Sequence, residues 1–241
     1  GYNKNENFSF EGEYLNGKRN GKGKENKFNS LVFEGEYLNN KKWNGKTYDI
    51  YKDCKYEIKN GNGFIIDYNC HNGLTYEGGY LNGEKNGKGK EYNDWGRVIF
   101  EGEFKNGKRN GKGKEYFRYG ILIYEGEYLN GERYGKGKEY FKGKLKFEGE
   151  YLYGYKRSGK EYINERLEYE GDFFFDKKWN GKGYDENGNI TYEMHNGTGR
   201  MQGYTYDDEF LYEFELLNGN IVKGKGKYYN IITGKLLFDG E

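Results

Sequence analysis

Three residues with metal-binding side chains, Cys54, Cys70 and His71, fall in one irregular stretch of this chain. A structural zinc takes four ligands, usually as two close pairs. The pattern Cys-x15-Cys-His supplies three ligands and one close pair, so both cysteines read as small strand or turn residues and no metal is expected. Runs such as Asn110-Gly111-Lys112-Gly113-Lys114 carry the glycines and lysines of a phosphate-cradling loop, but lack its full spacing and the helix that must follow. The carboxylate pairs Glu101/Glu103 and Glu125/Glu127 could serve acid–base chemistry. They recur in almost every repeat with lysines to face them, whereas a catalytic pair is unique and sits in a pocket with displaced pKa values. No catalytic residue, cofactor or small-molecule substrate is expected.

The composition narrows the class. Of 241 residues, 34% are hydrophobic and 33% charged, with a mean hydropathy of −1.20, too polar for a conventional core. Disorder is excluded by the 28 Tyr and 16 Phe, which recur at fixed spacing where disordered chains are poor in aromatics. Forty basic against 39 acidic residues give a net charge of +1, without the basic excess that a nucleic-acid binder shows. Two cysteines rule out a disulfide framework. No apolar run approaches the roughly 20 residues of a transmembrane helix. The expected location is cytoplasmic, at most peripheral to a membrane or the cytoskeleton.

The stretch Tyr124–Tyr140 shows what positions these side chains. Tyr124-Glu125-Gly126-Glu127-Tyr128-Leu129 alternates aromatic or small with acidic at period two, Asn130-Gly131 is a hairpin turn, and Gly135-Lys136-Gly137-Lys138 returns. A simple two-residue turn places Tyr124 opposite Gly137, Gly126 opposite Gly135 and Glu125 opposite Lys136. One face is then aromatic and glycine, with each ring shielding the backbone of a cross-strand glycine. The other carries Glu–Lys pairs worth roughly 0.2–1 kcal/mol each.

Equivalent opening aromatics, Phe10, Phe33, Tyr56, Tyr76, Phe100, Tyr124, Phe147, Tyr169, Tyr192, Tyr212 and Phe238, recur every 20 to 26 residues, a period that signals a repeat array. Residues 1–241 read as one continuous array. Well-formed repeats lie near 10–25, 33–48, 76–92, 100–116, 124–140, 147–162 and 169–185; degenerate ones lie near 56–68, 192–206 and 212–229, and the last is cut at 238–241. Degeneracy itself repeats, because Lys41-Lys42-Trp43-Asn44-Gly45 and Lys177-Lys178-Trp179-Asn180-Gly181 stand 136 residues apart, each ahead of a short unit expected to be a tight hairpin. No helical stripe appears. About ten hairpins, hence roughly 20 strands about 4.8 Å apart, would extend on the order of 100 Å as a twisted sheet.

At these residues the chain resembles MORN repeats, the membrane occupation and recognition nexus family, whose pattern is close to Y-E-G-E-W-x-N-G-K-x-H-G-x-G. The resemblance runs along essentially the whole chain. It is strongest at Phe10–Lys24, Tyr76–Tyr92, Phe100–Tyr116 and Tyr124–Tyr140, and weakest at Tyr56–Gly63, Tyr192–Gly199 and Tyr212–Tyr229. Tyr or Phe replaces the usual Trp, and Asn or Tyr134 stands where His is common. The resemblance implies an all-β fold, an elongated single antiparallel sheet of consecutive hairpins that stays open, acting as a scaffold, an interaction surface or a dimerising rod.

A non-enzymatic scaffold is therefore expected, mediating protein–protein interaction or homotypic assembly through the aromatic and glycine face. The rings of that face are Phe10, Tyr14, Phe33, Tyr37, Tyr76, Tyr80, Phe100, Phe104, Tyr124, Tyr128, Phe147, Tyr151, Tyr169 and Phe173. The alternative partner is an anionic, phosphoinositide-type membrane surface, bound by Lys-Gly-Lys stripes such as Lys112/Lys114 and Lys136/Lys138 at roughly 1 kcal/mol per well-placed cation.

Overall fold

The computed structural model describes residues 8–27, 29–49, 54–68, 73–204, 210–230 and 236–240. The fold is all-β, an open array of consecutive antiparallel hairpins, and it divides into two compact units, 1–132 and 133–241. The first holds β1 (Phe8–Leu15), β2 (Lys18–Lys27), β3 (Ser30–Leu38), β4 (Lys41–Tyr48), β5 (Cys54–Lys59), β6 (Asn62–Tyr68), β7 (Leu74–Leu81), β8 (Glu84–Tyr92), β9 (Val98–Lys105), β10 (Lys108–Phe117) and β11 (Ile121–Leu129). Each strand pairs antiparallel with the next. The second unit continues in the same manner with β12 (Glu132–Phe141), β13 (Lys144–Leu152), β14 (Tyr155–Ile163), β15 (Arg166–Phe174), β16 (Lys177–Tyr184) and β17 (Ile190–Met194). A bridge between His195 and Thr198 leads to β18 (Gly199–Tyr204), β19 (Phe210–Leu217), β20 (Asn220–Asn230) and β21 (Leu236–Gly240), which pair in sequence.

Asparagine and glycine set the turns. Asn106 (φ 49°) and Gly107 (φ 78°) both lie in the left-handed region, as do Asn16/Gly17 and Asn82/Gly83. Two consecutive positive φ values make the turn whose twist matches the strands it joins, and Asn and Gly adopt them most cheaply. The short units are tight hairpins as expected, with Asn60-Gly61 joining β5 to β6 and Ile58 directly opposite Gly63.

Ladder register differs from that of a plain two-residue hairpin, because a bulge follows the turn. In β9–β10, Phe104 pairs with Arg109 but Gly102 pairs with Gly113, so Asn110, Gly111 and Lys112 together face Glu103. Phe100 thereby stands opposite Glu115 and Glu101 opposite Lys114; without the bulge they would meet Gly113 and Lys112. The same two-residue excess occurs in β1–β2 and β7–β8. Where Trp43, Arg157 or Trp179 follows the cation, the excess is that single residue. In β1–β2 and β9–β10 the second carboxylate of Glu-Gly-Glu serves the bulge, since the amides of Lys22 and Lys112 donate to Glu13 and Glu103 Oε2 at 3.2 and 3.4 Å.

Glycine therefore faces glycine across the ladder, and the opening aromatic lies diagonally over the pair. A Cβ added to Gly102 would stand 2.6 Å from Gly113 Cα and 2.8 Å from Phe100 Cζ. Shielding of glycine backbone by a ring, the role expected from the alternation, is retained in a different register. The rings interlock edge to face: Tyr76, Phe104, Phe100, Tyr128 and Tyr124 follow one another with centroids 5.1–5.5 Å apart. Tyr151, Phe147, Phe173 and Tyr169 repeat the chain in the second unit. Such pairs add about 0.5–1.5 kcal/mol each beyond burial.

Candidate interaction surface

Two charge ladders run across the strands, on opposite faces. On the outer face the first Glu of a Glu-Gly-Glu on an interior strand lies between lysines of both neighbouring strands. Glu101 faces Lys114 in its own hairpin and Lys90 in the preceding one, and Lys114 also faces Glu125. The series Lys138, Glu148, Lys160, Glu170, Lys182, Glu193 continues the pattern in the second unit. Their contacts are 3.4–3.7 Å long between side chains about half exposed. At that exposure each contributes roughly 0–1 kcal/mol.

The inner ladder was not legible as such. The cation after each turn, Lys42, Lys85, Arg109, Lys156 or Lys178, lies over a ring of the aromatic row. Arg109 stands 4.2 Å from the Phe100 centroid and Lys156 4.6 Å from that of Phe147. Each also holds carboxylates from the strand ends: Arg109 reaches Glu91 at 2.9 Å and Glu115 at 3.2 Å, and Lys156 reaches Glu161 at 2.8 Å and Glu139 at 3.4 Å. Lys42 bridges Asp67 and Glu25 at 2.5 and 3.2 Å. At the end of the second series Lys178 bonds Glu168, whose other oxygen accepts from the Tyr192 hydroxyl at 2.5 Å. The cation pairs with the second ring of the repeat on the turn side of the bulge, as Arg109 does with Phe104, and the bulge then brings the glutamate after Lys-Gly-Lys opposite the opening ring, as Glu115 with Phe100. The only trace in the sequence is the fixed order of cation after the turn and Glu after Lys-Gly-Lys.

This ladder closes the face on which partner-binding rings were expected. Phe33, Tyr37, Tyr76, Phe100, Phe104, Tyr124, Tyr128, Phe147, Tyr151, Tyr169 and Phe173 are buried; Phe10 and Tyr80 are half-buried, and Tyr14 is exposed. Packing by neighbouring rings and capping by cations explain it, so eleven of the fourteen rings give the sheet its core rather than a free surface. The aromatics that do reach solvent sit at the edges. In the second unit Tyr134, Tyr153, Tyr155, Phe174 and Phe175 line the hairpin tips. At the opposite edge of the first unit Trp95 (77% exposed), Phe117 and Tyr119 project, with the Arg97 guanidinium 4.2 Å from the Tyr119 centroid. Apart from Tyr134, which stands where His is common, sequence reasoning passed over both groups because they depart from the repeat pattern or lie in the connections between repeats.

Burial sets the titration of these groups. Burial pushes Lys156 down, but Glu161 and Glu139 override it and raise its pKa. Burial likewise would raise Glu161, yet Lys156 and Lys178 hold it below the ordinary carboxylate range. Burial, reinforced by Glu77 and Glu148, pushes Tyr92 and Tyr162 up to about 12, and burial raises Tyr76, Tyr80, Tyr169 and Tyr192 further. An unfolded tyrosine ionises near 10, so this contribution to stability is complete below about pH 10 and is lost as pH rises through about 12. A titration followed by tyrosinate absorbance and circular dichroism should show the buried rings ionising only as strand signal disappears. Their ionisation near pH 10 with the sheet intact would contradict the burial described.

Of the candidate metal ligands, Cys70 and His71 lie outside the described residues. Among the described residues no group of three or more His, Cys, Asp and Glu is placed to hold a metal, and no helix is long and apolar enough to cross a membrane. The glycine-lysine runs are strand and bulge, with no helix behind them.

A family model described as the MORN repeat matches residues 10–27, 76–97, 100–118 and 124–144. These are the four segments in which the sequence resemblance is strongest. Among curated proteins none matches the chain.

Proposed function

We propose, from the four segments that match a MORN-repeat model, that this chain is a non-enzymatic scaffold whose sheet surface and edges engage other proteins, a second copy of the chain included. One observation carries the reading: charged side chains recur strand for strand at equivalent ladder positions, whereas an active site needs a constellation present once. A surface that repeats with the strands suits an extended partner or several copies of one. Phosphoinositide-type lipid fits less well. Lys112 faces Glu127, Lys136 faces Glu150 and Lys138 faces Glu148, so the lysine stripes carry their own counter-charges.

Affinity purification of the chain, compared with a Lys112→Glu/Lys114→Glu variant of equal thermal stability, tests this. A discrete set of proteins retained by the native chain and reduced by the variant is expected, with no flotation on vesicles containing anionic lipid at physiological salt. Vesicle binding that the variant abolishes, with no protein retained by either form, would replace the reading by the lipid one.

A further inference from the structure

Hairpin tips are tied to one another by asparagine in most of the array. Asn20 Oδ1 accepts from the Asn39 amide at 3.3 Å, Asn44 from Asn60 at 2.7 Å, and Asn180 from Asn196 at 2.8 Å. The second unit abandons this tie at one tip, and both partners change together. Tyr134 stands at the accepting position and Tyr153 at the turn position, so an edge-on ring pair with centroids 6.3 Å apart takes the place of the polar link. At the following tip Phe175 occupies the turn position and packs on Tyr155 at 5.1 Å and on Phe174 at 4.7 Å. Tyr153 (φ 49°) and Phe175 (φ 48°) are held in the left-handed region, which bulky side chains rarely adopt. The turn itself demands that conformation, which Asn adopts at the other tips, so bulky aromatics there carry a cost that the turn does not require.

We propose that this rim, Tyr134, Leu152, Tyr153, Tyr155, Phe174 and Phe175, is a homotypic contact by which two copies of the chain pack rim to rim about a twofold axis near Tyr153. The inference deepens the scaffold reading and rests on it. Tyr153 is 66% exposed, Phe175 60%, Phe174 53% and Tyr155 46%. At about 150–250 Å² per aromatic side chain, the strip offers roughly 600 Å² of apolar surface, against about 800 Å² per partner in a standard interface. The largest apolar patch of an ordinary monomer is about 300–600 Å² and often functional, and this strip stands at the top of that range. Charge identifies the occupant. Three cations beside the strip are matched by carboxylates, Arg133 by Glu139, Lys156 by Glu161 and Arg157 by Glu150; Lys177 bonds the neutral Asn220, and its charge is offset in the count by the neighbouring Asp176, which accepts from the Lys156 amide. A strip without excess of either sign has nothing to draw it to nucleic acid or anionic lipid. It is complementary to itself, as a twofold contact requires.

Sedimentation equilibrium of the whole chain, from low micromolar to near-millimolar concentration, tests the contact. The variant Tyr153→Asn/Phe175→Asn restores the residue used at the other tips and relieves the left-handed strain, so it should melt no lower than the native chain. Tyr155→Gln, on an extended strand position, is a second probe independent of the turns. A reversible monomer–dimer equilibrium is expected, with the midpoint concentration raised at least about tenfold by either variant, the loss of central aromatic anchors being the costly one. A native chain monomeric throughout, or a dimer indifferent to both variants, would overturn the proposal. Flotation of the native chain on neutral phosphatidylcholine vesicles, lost in the variants and without self-association, would assign the rim to a bilayer and equally overturn it. Proteins still retained by a monomeric native chain would leave the scaffold reading standing; a dimer that retains no proteins would uphold the rim contact alone.

Discussion

Phe100→Ala is expected to lower the stability of the chain by about 3–5 kcal/mol, the range for removing a fully buried phenylalanine. The ring is 0% exposed and serves five neighbours at once. It packs edge-on against Phe104 at 5.3 Å and Tyr128 at 5.1 Å, carries Arg109 at 4.2 Å, and covers the Gly102–Gly113 pair. Truncation leaves a cavity lined by backbone that cannot collapse, and removes the ring beneath a half-buried guanidinium. Phe117→Ala, at a 57% exposed position, should change stability by no more than about 0.5 kcal/mol. Urea unfolding of both variants measures the contrast. Equal small losses would mean that the aromatic row is solvated.

Gly102→Ala should be nearly as damaging, at about 3 kcal/mol, the upper end of the usual cost of overpacking. The added methyl has nowhere to go: Gly113 Cα and the Lys112 carbonyl oxygen would each lie 2.6 Å from it, and Phe100 Cζ 2.8 Å. Two of the three obstacles are backbone of the partner strand, so relief requires separating the ladder. Gly107→Ala offers the comparison, because nothing stands within 4 Å of its Cβ site and only the φ of 78° resists. That turn position should cost about 1 kcal/mol. Thermal unfolding in which Gly107→Ala is the more harmful of the two would contradict the glycine pairing.

Period-two alternation and Asn-Gly turns made the hairpins and their number legible: roughly 20 strands were expected, and twenty-one lie among the described residues. The Trp43 and Trp179 modules were legible as a duplication, and the structure gives their purpose. Each indole covers the glycine of the next tip, where a Cβ at Gly61 or Gly197 would meet it at 2.7 or 2.6 Å. Register was not legible. A bulge leaves no residue signature apart from the glycine that relaxes it, such as Gly111 at φ 101°, and counting from the turn therefore errs beyond it. That one error hid the inner ladder: the unbulged count sets Gly113 opposite Phe100, whereas the bulged register brings Glu115 there, where it meets Arg109 over the ring. The site residues suffered in turn, since rings counted as a partner-binding face became core once the cations closed over them. Tyr153 and Phe175 were invisible for the opposite reason, departing from the repeat that directed attention elsewhere.

The central claim is that each bulged hairpin brings glycine against glycine beneath an aromatic ring. Glycine-selective isotope labelling with nuclear Overhauser spectroscopy measures it directly, because Cα atoms in a close antiparallel pair stand about 4.5 Å apart with their α-hydrogens in contact. Strong α-proton cross-peaks between Gly102 and Gly113, and between Gly149 and Gly159, are the result that the paired residues require. A cross-peak from the Phe100 α-proton to Gly113, with none between the glycines, would restore the unbulged register and remove both the inner ladder and the core built on it.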